Sequence, residues 1–219
     1  MYMYPCSHTV ARYIYEPLPS IKEKMLLRNK SFKINEYVVP EFTLKEGEMI
    51  RFWVEIIPEI ENDTDGYWGT KKMQNTIQYL NRKNLRIEYC SNKVKRNFFD
   101  FLNPISTGEY LKSKFELRNK EVEEILSQFD IRPKYKVRNL GTSHQKIFSI
   151  ICGFQKSKIV SFDYFGLSPN TEEQLTTFVK TEIDKDKAAI SFDSFHYKSE
   201  IEGSENIINL DIRRIRNRD

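Results

Sequence analysis

The sequence predicts an α/β fold, and two neighbouring patterns carry that prediction. Apolar residues between positions 147 and 154 recur at spacings of three and four, which is typical of a helix buried on one side. Residues 158–162 (KIVSF) then form a short β-branched and aromatic run, which predicts a buried strand ending at Asp163. Residues 166–169 turn the chain into a further helical pattern. Such alternation of helices and strands is typical of α/β folds.

Length and composition are those of a globular protein. The 219 residues are enough for one α/β domain or two small ones, 39% are hydrophobic, and no apolar run approaches the length of a membrane span. The start of the chain lacks a basic end followed by an apolar block, so we expect a cytoplasmic protein. Cys6, Cys90 and Cys152 are odd in number and widely spaced, which favours neither a disulfide framework nor a zinc site.

The charge pattern favours a solvated surface over a nucleic-acid site. Basic residues number 35 and acidic residues 31, a net charge of +4. Basic clusters at residues 93–96 and 213–218 are interpreted as surface, with attraction to lipid headgroups or a polyanion as the alternative. We therefore expect no nucleic-acid partner.

The first third of the chain predicts an antiparallel β subdomain. Residues 1–24 are rich in tyrosine and proline and are expected to form an irregular arm. Strand patterns follow at 25–27, 31–34, 37–39 and 40–44, and a turn at 45–48 leads to the strongest strand, 49–57, which we expect to be central.

Later patterns predict alternating helices and strands. Residues 70–80, 121–129 and 172–183 are helical candidates, and Asn170 is the expected N-cap of the last one because Glu173 follows three residues later. Strand candidates lie at 84–90, 187–192 and 206–215.

The residues before the buried helix resemble the signature loop of the ATP-binding-cassette (ABC) ATPases. Against the family's LSGGQ motif only the leucine is kept; the matched residues are Leu140, Gly141, Thr142, Ser143 and His144. In ABC dimers this loop contacts ATP held by the partner subunit. The resemblance therefore implies a trans contact of this kind here.

The strand that follows resembles the Walker B strand of the same family. Asp163 matches the Walker B acid, Tyr164 stands where the family has the glutamate that orients the attacking water, and residues 166–169 (GLSP) look like the family's GLDP turn. Phe192, followed by Asp193, takes the place of the switch histidine at the end of its strand, and residues 206–215 resemble the closing hairpin, with Arg213 or Arg214 replacing the turn glycine.

The phosphate-binding loop of the family has no counterpart in the sequence. Residues 58–66 (PEIENDTDG) contain four acids, one glycine and no lysine, and GxxxxGK[ST] occurs nowhere in the chain. Glu61, Asp63 and Asp65 lack the spacing of a calcium loop, so we expect no metal site. His8, His144 and His196 are far apart, which argues against a catalytic triad and leaves no catalytic residue to name.

Two further positions are implied by the resemblance. Asn92 matches the glutamine that senses Mg²⁺ and water and begins the loop to the membrane subunit. Phe98, Phe99 and Phe101 lie where an ABC domain docks on its permease, although three phenylalanines so close together are usually core residues.

The sequence is thus interpreted as one degenerate ABC-type domain over residues 25–219, with a β subdomain and a helical subdomain at about 92–140. We expect an inactive ATPase without a cofactor of its own, ATP and Mg²⁺ being bound only by a partner subunit. The expected partners are a membrane permease and an active ABC ATPase or a second copy, on the inner face of the membrane. The alternatives are an ABC-like scaffold without a transporter and a weakly active nucleotide-binding enzyme.

Overall fold

The computed structural model of the protein describes residues 24–34, 37–55, 75–77, 80, 86–91, 103–195 and 207–214. The strands are β1 (Met25–Asn29), β2 (Phe32–Ile34), β3 (Tyr37–Val39), β4 (Phe42–Lys45), β5 (Met49–Glu55), β6 (Ile87–Tyr89), β7 (Ile159–Asp163), β8 (Ala188–Phe195) and β9 (Ile207–Arg214). The helices are α1 (Thr107–Phe115), α2 (Asn119–Ser127), α3 (Thr142–Lys156) and α4 (Pro169–Ile183), with a 3₁₀ turn at Val137–Asn139 and helical residues at 75–77 and 80.

The strands form a mixed sheet whose central part is parallel, which confirms the α/β prediction. The strand order is β2-β3-β9-β5-β8-β7-β6, and β9, β5, β8, β7 and β6 run parallel. The strand expected to be central, β5, lies between β9 and β8.

The early strands pair antiparallel, as the sequence predicted, and they do so in two groups. β1 and β4 make a separate antiparallel pair, whereas β2 and β3 form a hairpin that joins the main sheet. The reason is that β3 pairs with β9, with Tyr37 opposite Arg214 and Val38 opposite Arg213.

Residues 207–214 form one strand and not the predicted hairpin. β9 runs without a turn from Ile207 to Arg214. Its residues pair with β5 on one side and, at its end, with β3 on the other, so Arg213 and Arg214 belong to a ladder and cannot form a turn.

The two faces of the sheet carry two hydrophobic cores. On one face residues of the four helices form a shared core with β7 and β8, and Phe178 contacts Phe129 and Phe154 with ring centres 5.5 and 6.0 Å apart. On the other face Phe52 lies between Phe42 and Phe192, with both ring centres at 5.2 Å. Because both faces are covered, every residue of β7 is buried.

Helix α4 begins two residues earlier than predicted. Ser168, not Asn170, is its N-cap: the Ser168 side chain accepts a hydrogen bond from the Thr171 amide at 3.4 Å. Pro169 takes the first helical position, where its missing N–H costs nothing. The turn before it needs Gly166, whose φ of 77° lies in the left-handed region.

No helix in the described part of the chain is long and apolar enough to span a membrane.

Candidate functional site

The carboxyl ends of β5, β7 and β8 lie side by side at one edge of the sheet. Asp163 at the end of β7 is the register neighbour of Phe192 on β8. One residue further along β8, Asp193 pairs with Trp53 on β5. Ligands of open α/β sheets bind outside the carboxyl ends of the strands, so this edge is the candidate functional site.

Asp163 forms a buried ion pair with Lys146 of α3. The two side chains are only 3% and 2% exposed. The Lys146 ammonium also donates to the backbone oxygen of Phe165, and Asp163 Oδ1 accepts the Phe165 N–H at 3.0 Å. Buried charges are stable only when they are paired and hydrogen-bonded, and here the chain itself supplies every partner.

Lys146 was not identified from the sequence, although a signal was present. It lies directly before Ile147 and four residues before Ile150, both of which face the core. A lysine within the buried stripe of an amphipathic helix requires an acidic partner. The first carboxylate after Lys146 in the chain is Asp163, at the end of the next strand.

Arg51 of β5 holds a second charged cluster at the same edge. Its Nη2 donates to Glu172 Oε1 in the first turn of α4 at 2.5 Å and also to Asp193 of β8. The guanidinium carbon lies 4.3 Å from the ring centre of Trp53 and 4.5 Å from that of Tyr164. The cation is therefore held by two carboxylates and two aromatic faces, and such contacts strengthen as water is excluded.

Arg51 stays protonated in this environment. Burial lowers the pKa of its guanidinium, but the hydrogen bond and charge of Asp193, with help from Glu172, outweigh burial and raise the pKa above its ordinary value. Arg51 is thus a permanent cation that links β5, β8 and α4.

Tyr164, directly after Asp163, is buried against this cluster. Its hydroxyl shares a 3.0 Å hydrogen bond with Thr176 Oγ1 of α4, and its ring contacts Phe162 with centres 5.4 Å apart. Burial raises the pKa of Tyr164 to about 12. The side chain is a neutral phenol at physiological pH, so it has no charged oxygen with which to take a proton from water.

The predicted signature loop is divided between a turn and a helix. Leu140 is buried, and Gly141 is the N-cap of α3, where it has no side chain to cap the helix. The helix begins at Thr142, so Ser143 and His144 lie in its first turn and not before it. The Ser143 hydroxyl donates to the Gly166 carbonyl at 3.3 Å, which ties the start of α3 to the β7–α4 turn.

The prediction that Phe192 ends its strand is wrong. β8 continues to Phe195, so Phe192 and Asp193 lie inside the strand. Because side chains alternate along a strand, Phe192 faces the core around Phe52 while Asp193 faces Arg51. Asp193, not Phe192, is the β8 residue that contributes a polar group to this edge.

The remaining predicted positions lie outside the described residues: Asn92, Phe98, Phe99, Phe101, His8, His196 and the acidic loop at 58–66. In the part that is described, no three His, Cys, Asp or Glu side chains are grouped as ligands for one metal ion.

Comparison with known proteins gives a consistent answer at the level of the fold. No protein-family model and no curated protein sequence matches the chain. Among solved structures, an ABC-transporter ATP-binding protein of Pyrococcus furiosus aligns with a TM-score of 0.58 and 11% identity, over 86% of this chain and 95% of that one. The fold is that of an ABC-type ATP-binding domain.

Two more ABC structures support this assignment. The archaeal ribosome recycling factor, solved with a ribosomal stalk protein, aligns with a TM-score of 0.52 and 14% identity, over 81% of this chain and 35% of its own. A metal-chelate-type ABC transporter in an inward-facing conformation aligns with a TM-score of 0.50 and 11% identity, over 89% of this chain and 84% of that one. At such identities the likeness describes the ABC-type fold alone.

Proposed function

We propose that the chain is an ABC-type domain that does not hydrolyse ATP and acts as a structural or regulatory subunit of an ABC transporter complex. The ion pair between Asp163 and Lys146 carries this proposal. A working Walker B aspartate must leave its carboxylate free to hold Mg²⁺. In this chain an ammonium and a backbone amide bind that carboxylate, out of contact with solvent.

The residues beside this pair support the same conclusion. Tyr164, at the position of the catalytic glutamate, is a buried neutral phenol hydrogen-bonded to Thr176. Arg51 occupies the space between β5, β8 and α4, with its charge met by Asp193 and Glu172. The sequence also lacks the glycines and the lysine of a phosphate-binding loop.

The proposed partners are a membrane permease and an active ABC ATPase or a second copy of this chain, at the inner face of the membrane. The likeness of the fold to a transporter's ATP-binding protein and to one chain of an ABC transporter structure supports this choice. In such a dimer the start of α3 at Thr142 and Ser143 would contribute its free amides to ATP bound by the partner. The chain would then need no cofactor of its own.

A second candidate is an ABC-like scaffold that serves no transporter. The likeness to the ribosome recycling factor favours it, because that protein is a recycling factor and not a transporter. The Asp163–Lys146 pair is equally compatible with this role.

Calorimetry with ATP and Mg²⁺ tests the loss of nucleotide binding. We expect no heat of binding at micromolar ATP and no rise in the thermal unfolding midpoint at millimolar ATP, since a ligand that binds the folded state must stabilise it. An ABC ATP-binding protein with an intact phosphate loop is the positive control. Micromolar affinity, or turnover that Asp163→Asn abolishes, would overturn the proposal.

Co-expression separates the transporter subunit from the scaffold. The chain is purified with a candidate permease and an intact ABC ATPase encoded beside it, and the ATPase rate is measured in the complex. A stable complex in which Ser143→Glu lowers the partner's rate supports the subunit and its trans contact. Failure to associate with the permease favours the scaffold.

A further inference from the structure

The β7–α4 turn, residues 164–168, depends on polar contacts because its middle is not buried. Phe165 is 49% exposed, and Gly166 is exposed as well. Within the turn, one backbone hydrogen bond joins the Leu167 amide to the Tyr164 carbonyl at 3.1 Å. Apolar burial therefore contributes little at Phe165 and Gly166, and other contacts must fix their positions.

Two side chains of α3 supply those contacts. The Lys146 ammonium donates to the backbone oxygen of Phe165 and to the Asp163 carboxylate. The Ser143 hydroxyl donates to the Gly166 carbonyl at 3.3 Å. Ser143 and Lys146 are three residues apart in a helix, so they lie on the same side of it. The beginning of α3 thus holds the carbonyls of both exposed turn residues.

The two oxygens that meet at the Lys146 ammonium require a cation. The Asp163 carboxylate and the Phe165 carbonyl are both acceptors, and they would repel each other without a positive charge between them. The side chains of the ion pair are only 2% and 3% exposed, so water cannot readily replace that charge. Lys146 therefore joins the end of β7 to the turn as well as neutralising Asp163.

A divalent metal ion does not fit beside this lysine. Mg²⁺ binds roughly six oxygen ligands and keeps several of its waters. Here the ammonium contacts Asp163 and Phe165 in a place closed to solvent, and it would repel a second cation. The metal that the ABC-type fold implies at this strand end is thus excluded by the chain's own lysine.

We propose that Lys146 is a built-in cation that replaces the metal ion and fixes the β7–α4 turn in one conformation. This inference rests on the proposed function and extends it to the regulation of the same site. A turn that is held by a covalently attached cation has no metal or nucleotide to respond to. The surface around Phe165 that the chain offers a partner is therefore the same throughout the partner's ATP cycle.

Amide hydrogen exchange at Phe165 tests the proposal. Its N–H donates to Asp163 Oδ1 at 3.0 Å, so it exchanges when the turn opens. We expect slow exchange in the wild type, unchanged by millimolar Mg²⁺ or Mn²⁺, and exchange at least about tenfold faster in Lys146→Ala. n-Propylammonium has the atoms that this substitution removes, so it should restore slow exchange, whereas neutral 1-propanol should not.

Two variants serve as controls. Lys146→Ala/Asp163→Asn has the same cavity without a buried charge, so it should fold and should respond equally to the amine and to 1-propanol. Lys187→Ala removes a cation from the buried Glu182 carboxylate at the opposite edge of the sheet, and exchange at Phe165 should not change. If Lys146→Ala does not fold by itself, its refolding in n-propylammonium but not in 1-propanol gives the same answer.

Three results would overturn the proposal. Slow exchange at Phe165 in Lys146→Ala would show that the turn needs no cation. Equal effects of n-propylammonium and 1-propanol on this variant, or no effect of either, would show that the lysine does not act through its charge. Broadening of the Phe165 amide signal by Mn²⁺ in the wild type would place a metal ion at Asp163. The first two results leave the calorimetry with ATP unaffected, so this inference can fail while the proposed function stands.

Discussion

Lys146 of α3 and Asp163 of β7 are joined in an ion pair whose side chains are 2% and 3% exposed. They are the most buried oppositely charged pair among the described residues. Taking two charges out of water costs several kcal/mol each, so the pair contributes little net stability but makes each charge dependent on the other.

Lys146→Met should therefore lower the free energy of unfolding by about 3–5 kcal/mol, because it leaves the Asp163 carboxylate buried without a counter-charge. Urea denaturation followed by circular dichroism measures the change. The double variant Lys146→Met/Asp163→Leu should recover much of the loss, since it leaves no buried charge. A single variant within about 1 kcal/mol of the wild type would show that solvent reaches the pair.

Arg51→Met should lower the free energy of unfolding more than the removal of either acidic partner does. The Arg51 side chain is 12% exposed and its guanidinium contacts two carboxylates and two rings, so we expect a loss of about 2–3 kcal/mol. Glu172→Gln should cost less than about 1 kcal/mol, because Glu172 is 33% exposed and Asp193 remains on Arg51. Equal losses in the two variants would contradict the arrangement.

Gly153 of α3 is expected to tolerate no side chain. A Cβ there would lie 2.4 Å from Cys90 Sγ and 3.3 Å from a methyl of Val160, so Gly153→Ala should destabilise by about 1–3 kcal/mol. Cys90→Ala removes the sulfur, and in that background the cost of Gly153→Ala should fall. A double-mutant cycle in urea makes the comparison; additive losses would show that Cys90 is not the obstacle.

The environment of Glu182, near the end of α4, predicts part of the loss of folding stability at acid pH. Burial raises the pKa of this carboxyl, but hydrogen bonds from Lys185 and Lys187 outweigh it, and the net pKa is lowered. A lowered pKa in the folded state contributes stability that is present above the unfolded pKa of about 4.3 and is lost as the pH falls below it.

Glu182→Gln should accordingly lower stability at neutral pH and flatten the fall below about pH 4.5. Urea midpoints across the acid range measure both effects. Glu173→Gln, on an exposed position of the same helix, is the control and should leave the profile unchanged. If the urea midpoint of Glu182→Gln falls with pH as steeply as that of the wild type, other carboxylates cause the loss of stability in acid.

Local sequence patterns were enough to predict most elements. The apolar and β-branched runs at β1, β3 and β7 and the apolar spacing of α3 depend only on neighbouring residues. The order of a helix, a strand ending in Asp163 and a Gly-containing turn also carried the resemblance to ABC ATPases.

The ends of elements were less predictable than their existence. Ser168, not Asn170, caps α4 because Pro169 suits the first helical position. β8 extends beyond Phe192 because β5 pairs with it as far as Phe195. Whether a strand continues depends on a neighbour that is distant in the sequence.

By itself, therefore, the sequence determined the α/β class, the position of Asp163 and the absence of a phosphate-loop motif. Only the tertiary structure decided what surrounds that acid. Lys146 is 17 residues from Asp163, and Arg51 is 121 residues from Glu172 and 142 from Asp193. Parallel pairing and the packing of α3 and α4 bring these charges together, and the low polarity of the buried edge then makes each one require its partner.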